Sequence, residues 1–391
     1  MKIKNDHIVN DTFAEINITS LRKNFNSIKR EANNVRKSKN GSVKVCSIVK
    51  ANGYGHGMLR ISEELVKLGT DYLGTADYTE STKLRDHLKK KKLRSVPILC
   101  LGNLSENKKY FDNIISNNID VTISDVGIAS LLNNFARSKN KIVNVHIHVD
   151  TGMNRVGFNE KGIYEAVRKL IELDHIKIKG IYSHYATSEI PQDSFALKQL
   201  RNFKNIISKI ESTLLKFELK HMENTGGIIN YRDELFNMIR PGISLYGYFT
   251  NEKAINKNIE LIPVMTLKSK VSFIKELEKS KSVSYGRNYF TKQKTYIASV
   301  PIGYGDGYSR ILSNKAKATI NNNQYYVVGT VCMDWMMIDL KGPNKDVKIN
   351  DEVILMGREY PAYKLANIVK TIPYEITCNI SQRVQRVYVK R

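Results

Sequence analysis

The sequence predicts an α/β fold in two parts: an N-terminal (β/α)8 barrel of the TIM type, followed by a mainly β domain. Three observations carry this. Residues 12–247 alternate strand-like runs with helix-like patterns, eight strands in all, which is the rhythm of a closed parallel barrel. An open doubly wound sheet would want a glycine-rich phosphate turn leading from an early strand straight into a helix. The GYGHG that follows the first strand here does not have that form. From about residue 250 the pattern changes to short alternating strands. The expected boundaries are 12–248 for the barrel and 249–391, joined by 1–11, for the β domain.

The apolar or β-branched runs are VKVCSIV (43–49), YLGTA (72–76), VPILCLG (96–102), VTIS (121–124), VNVHIHV (143–149), IKGIYSHY (178–185), HMEN (221–224) and MIRPGISLYG (238–247). Helical patterns such as ISEELVKLG, IASLLNNFARSK and the long SFALKQLRNFKNIISKIESTLLK lie between them. The second part contains TLKSKVSFIKEL, TYIASVPIG, KATI, QYYVVGTVCMDWMMIDL, DEVILMG and QRVQRVYVK, with NNNQ (321–324) as a turn and YKLANIVKTI (363–372) as a helix.

Composition narrows the function. The chain has 391 residues, 41% hydrophobic and 26% charged, as a soluble two-domain protein has. No apolar run approaches the roughly 18–20 residues that span a bilayer, and MKIKNDHIVNDTF has no apolar signal core, so a cytoplasmic protein without membrane contact is expected. Cys46, Cys100, Cys332 and Cys378 lack metal-type spacing; buried free thiols and no metal site are expected. The net charge of +24 would suit a nucleic-acid binder. The basic residues are spread along the chain, however, and KKKK (89–92) has no interleaved aromatics. A solvated basic surface is the reading preferred.

The chemistry gathers around VKANGYGHG (49–57). Most lysines are solvated surface residues. Lys50 instead closes the apolar run VCSIV, so its stem is expected to be buried. Desolvation lowers the ammonium pKa and frees the amine, as a Schiff base with an aldehyde cofactor requires. Other polar residues fall at the same barrel rim: Arg155 after strand five, His184 near the end of strand six, Asn224 and Thr225 after strand seven, and Arg240 in strand eight followed by Gly242 and Ile243. Loops after strands seven and eight form the usual barrel phosphate site. Thr225, Gly226, Gly227 and the amides of Gly242 and Ile243 suit a phosphate cradle, with Tyr54 as a further donor. Arg240, flanked by Met238, Ile239 and Pro241, needs a partner if it is buried.

AEINITSLRKNF, VKANGYGHG, HVDTGMNRVGF, YSHYATSE, NTGG, RPGISLYG, VSYGRNY, IGYGDGY, GTVCMDWMMIDL and YEITCNIS occur in this order, from about residue 12 to the end. Together they resemble the alanine racemases, pyridoxal-phosphate enzymes of bacterial cell-wall metabolism. The resemblance implies racemisation of alanine by a two-base mechanism through a pyridoxal 5'-phosphate aldimine on Lys50, supplying D-alanine for peptidoglycan. It implies Tyr285 as the second base and Arg155 on the cofactor's phenolic oxygen and the substrate carboxylate. Arg240 is implied on the pyridine nitrogen, with His184 linking it to the tyrosine. Tyr374 is implied at the phosphate and the access gate, with Tyr304 and Arg310 in the corridor. Tyr285, Met333 and Asp334 come from the partner subunit in that family, which implies a head-to-tail homodimer with shared sites and Met333 against the substrate. A tyrosine gate favours a small substrate; a serine or broad-specificity racemase is the alternative. A non-catalytic pyridoxal-phosphate barrel protein would lack the β domain that carries Tyr285.

The sequence departs from the family pattern at His148, where many members carry a carbamylated lysine that props the arginine. A histidine forms no such carbamate, so no carbamylated lysine is expected here, and a bound anion or a direct bond would have to support Arg155. Thr225 stands where serine is common, Gly53 where alanine is frequent and Glu189 where aspartate is.

Overall fold

The computed structural model describes residues 10–34, 42–250, 259–342 and 346–391. Residues 1–9, most of the segment expected to join the β domain, lie outside the described residues.

The chain opens with β1 (Phe13–Asn17) and α1 (Ile18–Asn34). The barrel then runs β2 (Lys44–Ile48), the short turn α2 (Lys50–Tyr54), α3 (Met58–Lys67), β3 (Tyr72–Thr75), α4 (Tyr78–Lys90), β4 (Ile98–Asn103) and α5 (Lys108–Ser116). It continues through β5 (Asp120–Ile123), α6 (Val126–Ser138), β6 (Val143–His148), α7 (Ile163–Leu170), β7 (Ile176–Tyr182), α8 (Ser194–Thr213), β8 (Leu219–His221), α9 (Thr225–Asn230) and β9 (Met238–Ile239). All eight strands are parallel, in the order β8-β7-β6-β5-β4-β3-β2-β9. The seam between β8 and β9 is nearly closed: Asn237 N donates to Lys220 O at 3.1 Å and Arg240 N to Glu223 O at 2.8 Å. Strands buried on both faces read as apolar runs, which is why these elements showed in the sequence.

The mainly β domain contains β10 (Met265–Lys270), β11 (Phe273–Leu277), β12 (Thr295–Val300), β13 (Lys317–Ile320), β14 (Asn323–Val328), β15 (Met336–Asp339) and β16 (Glu352–Met356). The helices α10 (Ala362–Val369) and α11 (Pro373–Cys378) and the strand β17 (Gln385–Val389) complete it. The expected NNNQ turn joins β13 to β14, with Asn321 and Asn322 at φ 49° and 64°, where asparagine is tolerated.

Three expectations are corrected. Residues 13–17, assigned to the barrel, form the penultimate strand of the nine-stranded sheet, antiparallel to β10 and parallel to β17. Pairing across such a separation leaves no local signal. The run 238–247 is strand only at Met238–Ile239, so Arg240 sits just past the strand; Pro241 has no N–H for a ladder and restricts the residue before it. The expected strand at 221–224 is instead Leu219–His221, and Asn224 caps α9 by accepting from Gly227 N at 2.9 Å.

Candidate active site

A cavity of about 540 Å³ opens at the C-terminal ends of the barrel strands. Lys50, Tyr54, His148, Arg155, Tyr182, His184, Asn224, Thr225, Arg240, Gly242, Tyr374 and Cys378 are among the residues that line it. Most residues expected from the sequence therefore meet in one place. The lining carries Lys50, Arg155 and Arg240, two histidines that burial keeps neutral, and no carboxylate. Positive charge in a lining that has no carboxylate of its own favours an anionic occupant.

Lys50 lies two residues past β2, in a turn rather than at the strand end itself. Its ammonium pKa is lowered, first by burial and then by Arg155; Glu80 acts in the opposite sense. Tyr54 packs 5.0 Å from Tyr246 and 5.8 Å from Tyr374, ring centre to ring centre. Burial raises the pKa of the Tyr54 phenol, which keeps it a neutral donor.

The loops after β8 and β9 are tied by Thr225, whose Oγ1 accepts from Gly242 N at 3.2 Å and lies 3.0 Å from Ser244 Oγ. A Cβ at Gly242 would stand 2.7 Å from the Tyr54 hydroxyl, so only glycine lets this loop approach Tyr54 so closely.

Arg240 is 3% exposed. Its Nη2 donates to Ser183 O at 2.7 Å and Met222 O at 3.2 Å, and approaches His184 Nδ1 at 3.3 Å. Its Nη1 lies 2.6 Å from His221 Nδ1. A guanidinium only donates, so His221 Nδ1 accepts and Nε2 carries the hydrogen. That hydrogen faces His146 Nδ1 at 3.0 Å, which places the His146 proton on its own Nε2, 3.8 Å from Asp120 Oδ2. Burial lowers the pKa of both histidines, keeping them neutral. Asp120 also accepts from Tyr72 OH and Asn144 Nδ2, each at 3.1 Å. One-way donation thus runs from the guanidinium to two neutral imidazoles and points toward a buried carboxylate. Sequence reading named neither His146, His221 nor Asp120. The alternation of VNVHIHV puts His146 and His148 on one strand face, and that signal could have found the first of them.

His148 is stacked on Tyr182 at 4.3 Å, and its Nδ1 has no hydrogen-bond partner among the described residues. Burial, with Arg240 and Arg155 nearby, pushes its pKa down to about 3. No lysine other than Lys50 lines the cavity.

Tyr285 and Met333 do not line this cavity. They are 71% and 52% exposed, on adjoining loops of the β domain: Thr330 Oγ1 donates to Tyr285 O at 2.7 Å, and Ser284 Oγ lies 3.4 Å from Cys332 Sγ. Tyr304 and Trp335 are exposed beside them, with Tyr304 N donating to Cys332 O and Cys332 N to Trp335 O. This apolar surface is of the sort that marks an interaction site. Ile243 is buried behind the cavity wall, and Arg310 and Glu189 are not among the lining residues. Cys332 and Cys378 are only partly buried, contrary to expectation, and Cys378 faces the cavity.

The residues present fit pyridoxal phosphate: an amine of lowered pKa, donor-rich loops at one end, a donor-only guanidinium and no carboxylate in the lining. Residues 16–250 match the family described as alanine racemase, N-terminal domain, and residues 264–388 the one described as alanine racemase, C-terminal domain. The chain is 40% identical to the alanine racemase of Clostridium perfringens (strain SM101 / Type A), over 98% of this chain and 97% of the relative. It superposes on the alanine racemase of Clostridium difficile 630 with TM-score 0.89 and 35% identity, covering 98% and 97% of the two chains. The Bartonella henselae alanine racemase, solved with covalently bound pyridoxal phosphate, superposes with TM-score 0.84 at 26% identity, covering 97% and 99%.

Proposed function

The chain belongs to the alanine racemase family and carries that isomerase activity, and we propose that the rim cavity is its pyridoxal-phosphate site, with Lys50 as one of two bases. The observation that supports this most is a lining with two arginines and no carboxylate around the partly buried lysine amine. A phosphorylated cofactor and a carboxylate substrate supply the missing negative charge. Bound there, pyridoxal phosphate supplies an aldehyde for covalent attachment and an electron-withdrawing ring that labilises the Cα hydrogen.

The chain's own residues divide the remaining work. Asn224, Thr225, Gly242, Ile243, Tyr54 and Tyr374 would hold the phosphate end. With the cofactor bound, Lys50 Nζ would take or return the proton on one face of Cα. Arg240 would face the ring nitrogen as a donor that keeps its own proton, which would moderate electron withdrawal and favour prompt reprotonation. Arg155 orients the substrate carboxylate through its donor fork. Racemisation needs a second base on the opposite face, and Tyr285 of a second copy fills that role, with Met333 beside it. His184, already on Arg240, links the two. This reading makes the protein a cytoplasmic homodimer that supplies D-alanine for peptidoglycan; no helix among the described residues is long and apolar enough to cross a membrane.

Purified, cofactor-loaded protein in deuterated water, given a panel of L-amino acids, tests the reading. Deuterium at Cα of D-alanine, far ahead of serine and lysine, is expected. Comparable serine turnover would move the assignment to a broader racemase, and bound cofactor without exchange would overturn the two-base account.

A further inference from the structure

Lys50 is presented by a backbone that L-residues avoid. Ala51, Asn52, Gly53 and Tyr54 take φ of 52°, 53°, 64° and 51° in succession. Outside glycine the left-handed conformation costs roughly 1–2 kcal/mol per residue, and it persists only where the surroundings over-determine it. Part of the support is internal: Gly55 N donates to Ala51 O at 3.0 Å, Gly57 N to Asn52 O at 2.8 Å, and Met58 N to Asn52 Oδ1 at 3.0 Å.

One side chain reaches the amide next to Lys50 from outside the turn. Glu80, in the first turn of α4, accepts from Ala51 N at 2.8 Å through Oε1 and from Ala76 N at 2.9 Å through Oε2. Ala76 directly follows β3, and β3 is the parallel neighbour of β2, the strand that delivers Lys50. The carboxylate therefore bridges two adjacent strand ends. Its own place is fixed, because Glu80 N donates to Asp77 Oδ1 at 2.9 Å.

We propose that Glu80 is a positioning residue for Lys50: it clamps the left-handed turn onto the neighbouring strand end and sets a negative charge near the amine. The proposal rests on the reading of Lys50 as the cofactor-bearing base. The groups around that amine are otherwise cationic or neutral: Arg155, Arg240, His148, His184, Tyr54, Tyr374 and the Cys378 thiol. Glu80 is the carboxylate that works against the two arginines there.

The substitution that separates clamp from bulk is Glu80→Gln. Both carboxylate oxygens accept; an amide of the same shape accepts with one atom and donates with the other. Whichever way it turns, one of the two backbone N–H groups then faces a donor, and the charge is gone. Ala51 is solvent-exposed, so hydrogen exchange reads the bond to its amide directly, with or without cofactor. In the unaltered enzyme the Ala51 and Ala76 amides are expected to exchange at least about 100-fold more slowly than in an unstructured chain. In Glu80→Gln at least one should lose that protection. Lys50 in the cofactor-free variant should react with fluorodinitrobenzene at lower pH than in the parent.

With alanine deuterated at Cα, the primary isotope effect of the variant should rise in one reaction direction only, the one in which Lys50 abstracts the proton. A loss through general destabilisation would alter both directions alike, and that outcome overturns the proposal. Unprotected Ala51 and Ala76 amides in the unaltered enzyme also overturn it, whether or not the variant folds. An unaltered enzyme with protected amides but no racemisation would instead sink the reading of Lys50 and leave the clamp standing.

Discussion

Arg240 shows how far one donor-only side chain can dictate its surroundings. Its hydrogens fix the tautomer of His221, and His221 fixes that of His146. Both imidazoles are neutral, so the chain of donation passes from the guanidinium through two uncharged rings before it reaches the Asp120 carboxylate. His221→Phe removes the acceptor at 2.6 Å while preserving the stack on Tyr182, now at 4.9 Å. Hydrogen bonds to charged groups contribute about 1.5–3 kcal/mol, so kcat should fall roughly tenfold to a hundredfold. Steady-state kinetics beside the cofactor absorbance spectrum measures this, and an unchanged kcat would show that Arg240 needs no help from His221.

The short elements do more here than their lengths suggest. The α2 turn and α11 meet where Gly55, at φ 82°, passes the carbonyl of Thr377; a Cβ at that glycine would stand 2.0 Å from the oxygen. Gly55→Ala therefore combines backbone strain with a clash against main chain. It should destabilise the protein by on the order of 2 kcal/mol or more and weaken cofactor binding, since α11 carries Tyr374 and Cys378 into the cavity. Thermal unfolding and cofactor titration of this variant check the prediction. The eight apolar runs, the NNNQ hairpin and the rim placement of Lys50, Arg155, His184 and Thr225 were legible because each depends on local periodicity or turn chemistry. The allegiance of Phe13–Asn17 was not, because its partners Gln385–Val389 come from the far end of the chain. Nor was the turn at Ala51, where three non-glycine residues hold positive φ and Glu80 bonds the Ala51 amide from a distant part of the chain. Asp120 and His221 escaped notice because polar residues inside a barrel follow no rule of apolar alternation.

At the scale of the whole molecule, buried neutral histidines couple stability to pH. Burial holds the pKa of His56 down at about 4 and that of His148 at about 3, against 6.5 for the free side chain, and it lowers His146, His184 and His221 too. In the unfolded chain these groups bind protons below about pH 6.5; in the folded protein they do not until much lower. Stability is therefore fully present above the unfolded value and is lost as pH falls from 6.5 toward 4. For His56 and His148 alone the loss between pH 6.5 and about pH 5 is on the order of 3 kcal/mol. Chemical denaturation at neutral pH and near pH 5 should show it; equal midpoints would mean that these histidines titrate normally.

Lys50 lines the cavity, whereas Tyr285 lies 71% exposed on an apolar surface of the β domain and does not line it. If the two bases meet only between copies, two inactive variants complement each other. Lys50→Ala and Tyr285→Phe should each be nearly inactive. Unfolded, mixed in equal amounts and refolded together with cofactor, they should form hybrids in which one site has Lys50 from one chain and Tyr285 from the other. Random pairing then restores about a quarter of the parental racemase activity. No recovery, with hybrid dimers demonstrated in the mixture, would contradict the assignment of the second base to a second copy.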